Sequence, residues 1–220
     1  MLRWISWERE HVAGKPLVFG IHDFQTPMSM LVSRPSLPLY LYGYDEGWEH
    51  DAEGKLHIHP RKVATHTWGS KVIPSSFFEL PGAENVSAVL FSNSGTISRF
   101  DRMGVLAGFG SPRVRLVREG FALDHDPNAT EPRPFRKAVR PPAYVETWVE
   151  GLEVYHNPRA VEPLAPAAMP GAAHHRLLPG GLTESVAPSW HPLSSTTRVF
   201  VVRDQESTGA TSDEGETEGS

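Results

Sequence analysis

Three groups of residues have the types and spacing to do chemistry. His22-Asp23 sets an imidazole beside a carboxylate where an apolar run, Leu17 to Ile21, ends. Burial tunes such a pair in either direction, so His22 and Asp23 are candidate catalytic residues or metal ligands. The competing reading makes Asp23 a cap or turn residue and His22 a packed ring. The turn Ser92-Asn93-Ser94-Gly95-Thr96 follows a second apolar run, Val86 to Phe91, and precedes Ile97, Phe100 and Met103 at helical spacing. Strand, small polar turn and helix place N–H groups and hydroxyls at a sheet's C-terminal edge, where a phosphate or a developing oxyanion is held. Asn93, Ser94 and Thr96 are therefore candidate anion-binding residues, and Ser94 or Thr96 equally serves as a helix cap. Finally, Arg99, Arg102, Arg113, Arg115 and Arg118 fall within twenty residues. Arginines at alternate strand positions, 113 and 115, share a face suited to phosphate contacts, or else form a solvated edge strand.

Other combinations carry less. His57-x-His59 places two imidazoles on one strand face, a usable pair of metal ligands. No third ligand falls at a diagnostic spacing, and a polar solvent-facing hairpin explains the same residues. Asp51 and Glu53-Gly54-Lys55 imitate the acid-x-lysine pair of metal-dependent nucleases, but the triplet sits on a predicted hairpin turn that glycine would loosen. His156-Asn157-Pro158 reads as a structural corner, because Asn bonds its own backbone and proline stiffens the chain beyond the turn. His174, His175 and His191 lie in a stretch dominated by proline and glycine, where no element is predicted to position them.

The elements emerge from the apolar pattern. Leu17 to Ile21 and Val86 to Phe91 are unbroken apolar runs with β-branched residues, the pattern of strands buried on both faces. Residues 2 to 13 read as helix ended by Gly14, with no capping residue before it. Leu37 to Tyr42 predicts a short buried helix ending at Gly43. Tyr44 to His59 predicts a hairpin turning at Asp51 to Gly54, and residues 68 to 80 a loop with a helical turn at Phe77-Phe78. Val114 to Arg118 alternates like an edge strand with one wet face. Residues 124 to 142 carry five prolines and read as loop. One or two helical turns are expected over Tyr144 to Val149, a strand over Leu152 to Tyr155, and a last strand over Arg198 to Val202. The expected architecture is α+β (mixed α/β): a central mixed sheet, few short helices and long Pro/Gly-rich loops, in an incomplete domain.

Composition bounds the function. The chain has 220 residues, 39% of them hydrophobic, with six tryptophans, enough for one packed domain over 1–203. The net charge of −5 misleads: the segment 204–220 holds six of the 26 acidic residues and no basic one. The remainder, 20 acidic against 21 basic residues, is nearly neutral, which argues against a non-specific nucleic-acid coat but not against a local basic patch. That tail, without large apolar residues, reads as disordered. The absence of cysteine removes disulfides, thiolate zinc sites and a cysteine nucleophile. No apolar run reaches the ~18 residues of a membrane span, and no signal-peptide core opens the chain, so a cytoplasmic protein without a membrane partner is expected.

The segments KPLVFGIHDF, SMLVSRPSLPLYLYGY, HTWG, VIPSSFF, FSNSGTISRFDRMG and YHNPRA together resemble the carboxy-terminal part of a little-characterised bacterial family. Some of its members are labelled glycosaminoglycan attachment-site proteins. The resemblance spans most of residues 4 to 203 and is most specific from Ser92 to Gly104. It implies an amino-terminal restriction-endonuclease-like core of the PD-(D/E)XK kind, whose motif strands would precede Met1. No catalytic residue carries over from that core. The chain would then be a truncated half lacking its own nuclease chemistry, and would need a missing amino-terminal half or a partner chain.

The leading expectation is a truncated endonuclease-like protein that contacts nucleic acid through Arg99, Arg102, Arg113 and Arg115. In it, two strands of one sheet, Leu17 to Ile21 and Val86 to Phe91, bring His22 and Asp23 near Asn93 and Thr96. A self-contained metal-dependent hydrolase using His22, Asp23, His57 and His59 with a divalent metal is the alternative. A structural or partner-binding module is a third.

Overall fold

In a computed structural model, described over residues 9–23 and 29–202, the strands form around the apolar runs. β1 (Val18–His22) is followed by α1 (Ser29–Tyr42), then by the hairpin of β2 (Tyr44–His50) and β3 (Leu56–Lys62). A second hairpin joins β4 (Thr65–Trp68) to β5 (Lys71–Pro74). β6 (Ala88–Ser92) leads into α2 (Ile97–Leu106), and β7 (Val114–Ala122) into β8 (Arg133–Ala138). β9 (Glu153–His156), β10 (Ala173–Leu177), β11 (Thr183–Val186) and β12 (Pro192–Val201) complete the chain. The fold is α+β, as the sequence predicts.

The five-stranded sheet runs β1-β6-β9-β10-β11 and is mixed. β1 lies parallel to β6 and β9 parallel to β10, whereas β6–β9 and β10–β11 are antiparallel. The two apolar runs are therefore neighbours, with His22 in register with Ser92. One expectation fails: β1 is not buried on both faces. Among the described residues it is an edge strand, half-buried at Val18 and Phe19 and exposed from Gly20 onward. Its apolar run reflects one covered face.

α1 covers one face of this sheet. Leu41 and Tyr42 pack with Phe78, Val86, Val89, Phe91 and Tyr155 in the largest core cluster. Full burial of side chains of this size is worth about 1.5–3 kcal/mol each. The Tyr42 hydroxyl lies 3.0 Å from the His156 carbonyl and 2.9 Å from that of His175, so one residue ties α1 to β9 and β10. The helix is longer than the sequence suggests. It runs through Pro35 and Pro38, although Pro38 cannot return a hydrogen bond to the Arg34 carbonyl; packing on the sheet outweighs that loss. Gly43 ends the helix at φ 74°, where a Cβ would stand 1.8 Å from the Ser76 hydroxyl oxygen, so only glycine fits. The opposite face carries Ala88, Val154 and Ala172.

β12, β7 and β8 form a separate antiparallel sheet with β7 in the middle, against which α2 packs Val105 and Leu106 around Leu116, Val139 and Tyr144. The expected edge strand at Val114 to Arg118 is thus central, and its alternation separates a packed face from a solvated one. Residues 124 to 142 contain β8, and the proline-rich stretch after Pro158 contains β10 and β11. These short strands carry histidines, threonines and arginines rather than apolar runs. Where helical turns are expected over Tyr144 to Val149, residues 144–147 are irregular and a plain turn begins at Trp148, and residues 68 to 80 contribute a strand of the second hairpin. The predicted amino-terminal helix and acidic tail fall largely on residues 1–8 and 203–220, outside the described residues. Among the described residues no helix is long and apolar enough to cross a membrane.

Candidate functional site

β9 begins with a carboxylate in a place where few carboxylates sit. Glu153, only 2% exposed, opens the strand opposite Phe91 on one side and Ala173 on the other. It stands at the sheet edge where β1 and β6 run out, because β9 is antiparallel to them. Three groups converge on it. His191, which directly precedes β12, donates from Nε2 to Oε1 at 2.9 Å. His175 Nε2 donates to Oε2, and the Arg34 guanidinium forms an ion pair with Oε1. Burial alone would raise the Glu153 pKa, but the hydrogen bonds from His175 and His191 and the charge of Arg34 outweigh it and leave the pKa lowered. Glu153 is held as an anion.

Strand register fixes the rest. His175 is the cross-strand partner of Tyr155 in β9 and of Ser185 in β11. Its ring stacks on Tyr155 with centroids 4.6 Å apart at 18°, and its Nδ1 lies 2.8 Å from Ser185 Oγ. In the neutral ring with Nε2–H directed at Glu153, Nδ1 carries the lone pair and the Ser185 hydroxyl donates to it. Serine, imidazole and carboxylate therefore stand in one hydrogen-bonded row. Tyr155 itself titrates higher than a free phenol, through burial and then the adjacent Glu153 charge.

Arg34, Glu153, Tyr155, His175, Ser185 and His191 all line a cavity of about 420 Å³, within the size range of small-molecule sites. Its other walls include Pro35, Pro38, Leu39 and Leu193. Asp45 and Glu46 also line it; Asp45 pairs with Arg61 at 2.6 Å, and Glu46 accepts from the Thr183 N–H at 2.7 Å. The cavity thus has an apolar wall from α1 and a polar end from the sheet. His191 Nδ1 and Arg34 Nε and Nη2 are buried without a hydrogen-bond partner among the described residues, a condition that native interiors rarely leave unexplained.

The residues expected to carry function fall in other places. His22 reaches Gly95, where an added Cβ would stand 2.4 Å from the imidazole, so the two outgoing strand ends do meet as expected. Its pKa is lowered by burial and then by the Arg99 charge. Asp23 accepts from the Ser33 hydroxyl, which anchors it to α1. Thr96 is the N-cap of α2, its Oγ1 accepting from the Arg99 N–H at 3.3 Å. Asn93 is buried at 1% exposure with neither amide atom partnered among the described residues, and Ser94 lies against Gly151.

The arginine group divides, against the expectation of one phosphate-binding surface. Arg113 and Arg115 are exposed. Arg99 and Arg102, at 2% and 3% exposure, point inward to Glu146. The spacing that puts them on one helix face turns them to the core, where a carboxylate from a distant loop receives them. His57 and His59 pair instead with Asp51 at 2.7 Å and Glu49 at 3.1 Å along the exposed hairpin. Among the described residues no three metal-ligating side chains are grouped to hold an ion. In the Glu153 cluster both imidazoles spend Nε2 on the carboxylate, and Arg34 supplies the positive charge.

His175, His191 and Ser185 were not legible as site residues because their segment lacks apolar runs. The available signal was His-His before a glycine-bounded turn, with Ser185 ten residues on from His175, the spacing of a short hairpin. Comparison with protein-family models, curated proteins and solved structures finds no match for this chain.

Proposed function

We propose that the chain is an enzyme that binds a small, uncharged, carbonyl-bearing compound in the 420 Å³ cavity and acts on it by proton transfer. The observation that carries this reading is the buried Glu153 carboxylate, which fixes two histidines and an arginine at the wall of a largely apolar cavity. Burying a charge is costly unless it is paired, and here the pairing orients one imidazole toward an accessible hydroxyl. His175 is the base: its Nδ1 faces Ser185 in the cavity, and Glu153 stabilises the imidazolium formed when a proton arrives. Arg34 adds a fixed positive charge at the same wall, suited to a carbonyl oxygen that becomes negative. The apolar side from α1 takes the remainder of the substrate, while Asp45 and Glu46 disfavour an anionic one.

Butyramide, a carbonyl compound that is not turned over, tests binding by imidazole NMR. The His175 and His191 signals should shift saturably while those of His57 and His59 stay in place, and Arg34→Met should weaken the response about tenfold or more. Unchanged His175 and His191 signals at saturating butyramide would overturn the reading.

A further inference from the structure

The row formed by Ser185, His175 and Glu153 is more than a proton carrier needs. A base alone would not require a serine hydroxyl at its free nitrogen. We infer that Ser185 is a nucleophile that accepts an acyl group from a small uncharged carboxylic ester. This deepens the function proposed above and rests on it.

Three observations support it. First, the nucleophile–base and base–orienter hydrogen bonds are both present, Ser185 to His175 Nδ1 at 2.8 Å and His175 Nε2 to Glu153; this two-bond row defines an activated serine whatever the fold. Second, the end members differ in exposure as their roles require. Ser185 is exposed on β11 and lines the cavity, whereas Glu153 is buried. Third, the row is set by strand register, because Ser185 and His175 are cross-strand partners. A site built on paired strands holds its geometry better than one on loops.

In the first step Ser185 Oγ attacks the ester carbonyl carbon as its proton passes to His175 Nδ1. The new C–O bond forms, and the tetrahedral oxyanion carries the charge beside Arg34. Collapse breaks the bond to the leaving oxygen, which takes the proton from His175 and departs as the alcohol. A water molecule then attacks the acyl-serine, again giving its proton to His175, and the carboxylic acid leaves as Ser185 recovers its hydrogen. Glu153 is a positioning residue throughout: it touches the imidazole and not the substrate.

Two probes test this on the full chain. A fluorophosphonate should add one phosphonyl group, mapped by peptide mass spectrometry to the segment containing Ser185, and 4-nitrophenyl butyrate should be hydrolysed with a burst. Ser185→Ala should abolish both label and burst, and His175→Ala should slow labelling by about 100-fold or more. A urea unfolding midpoint of Ser185→Ala within error of the parent chain's shows that this variant is folded. Glu153→Gln should move the acid limb of the pH–rate profile to lower pH, since the imidazolium loses its counter-charge; a purely structural role would lower the amplitude without moving the limb. Absence of label, or a label that survives Ser185→Ala, would overturn the inference. Butyramide binding without labelling would leave the binding reading standing, whereas loss of both removes both.

Discussion

Glu146 and Glu153 are seven residues apart, both buried, and both collect positive neighbours, yet the two clusters are opposites. Glu146 is closed. Arg102 grips it in a bidentate pair at 2.7 Å for each bond, and the Tyr144 hydroxyl donates at 2.5 Å. The guanidiniums of Arg99 and Arg118 stand 3.5 Å away. Each arginine also has a second attachment: Arg99 to the Thr147 and Glu150 carbonyls, Arg102 to Thr197, and Arg118 to Ser195 and Glu150. The cluster stitches α2, β7, β12 and the 144–150 segment together, and none of its members lines the cavity. Glu153 is open. Its partners line the cavity, and three of their polar atoms, against Arg99 Nε alone in the Glu146 cluster, have no hydrogen-bond partner among the described residues. A buried carboxylate is therefore not itself a sign of chemistry. What separates the two is whether the partners line a cavity or not.

The largest effect that sharpens this contrast is on stability. Glu146→Gln removes the carboxylate shared by three buried guanidiniums, of which Arg118 keeps Glu150, and should cost about 3–5 kcal/mol, read as a lower midpoint in urea unfolding. A loss under about 1 kcal/mol would mean that the arginines find other partners and that the cluster is not a cross-link. Glu153→Gln should cost less, about 1–3 kcal/mol, since one guanidinium and two imidazoles lose a partner, while the activity proposed for the cavity should fall by far more. Equal stability losses from both variants would erase the distinction.

The second test is acid. The Glu153 pKa is lowered in the folded chain despite burial, so its contribution is present above the ordinary carboxylate value and is lost as pH falls below about 4 toward the lowered value. Glu146 has the same sign for a similar reason: burial raises its pKa, but the hydrogen bonds and charges of Arg102, Tyr144 and Arg118 outweigh burial. Each Gln variant should flatten stability against pH in that range, measured by urea midpoints from pH 5 to 2. His156 supplies a separate step at higher pH. Burial, and then the charges of His174 and Arg176, lower its pKa to about 4, so the folded state favours the neutral ring. That contribution is present above the unfolded value near 6.5 and is lost as pH falls from about 6.5 to 4. His156→Gln should remove this step and leave the one below pH 4 in place.

The same contrast explains what the sequence disclosed. The membership of Leu17 to Ile21 and Val86 to Phe91 in one sheet, the Tyr44 to His59 hairpin, and the capped helix after Thr96 were legible, because each rests on local apolar pattern or turn chemistry. The cavity lies elsewhere than expected: no residue of β1, β6 or the 92–96 turn lines it. The site itself was not legible. Glu153 looks in sequence like an ordinary strand acid, and His175 acquires its role only through β10 pairing with β9 and β11. The arginines misled for the converse reason: alternation and helical spacing show that residues share a face, but not whether that face meets solvent or a buried Glu146 from more than forty residues away.

The smallest effect belongs to a third kind of carboxylate. Asp51 and Glu49 also hold histidines, His57 and His59, at distances comparable to those in the buried clusters. They do so on an exposed hairpin, with side chains 31% and 70% accessible respectively. The Asp51 pKa is lowered, first by the His57 hydrogen bond and then by the Lys55 N–H, but water competes for every one of these groups and salt screens them. Asp51 also accepts from the N–H groups of Glu53 and Lys55, so the turn holds without the imidazole. His57→Ala and His59→Ala should therefore leave the urea midpoint unchanged within error, together or singly, and leave the butyramide response of His175 and His191 intact. A clear loss of stability, or a stoichiometric divalent ion that disappears from the purified protein with His57→Ala, would restore the hairpin as a candidate site. It would also show that geometry of the pair, and not burial, is what separates a working histidine–carboxylate contact from a decorative one.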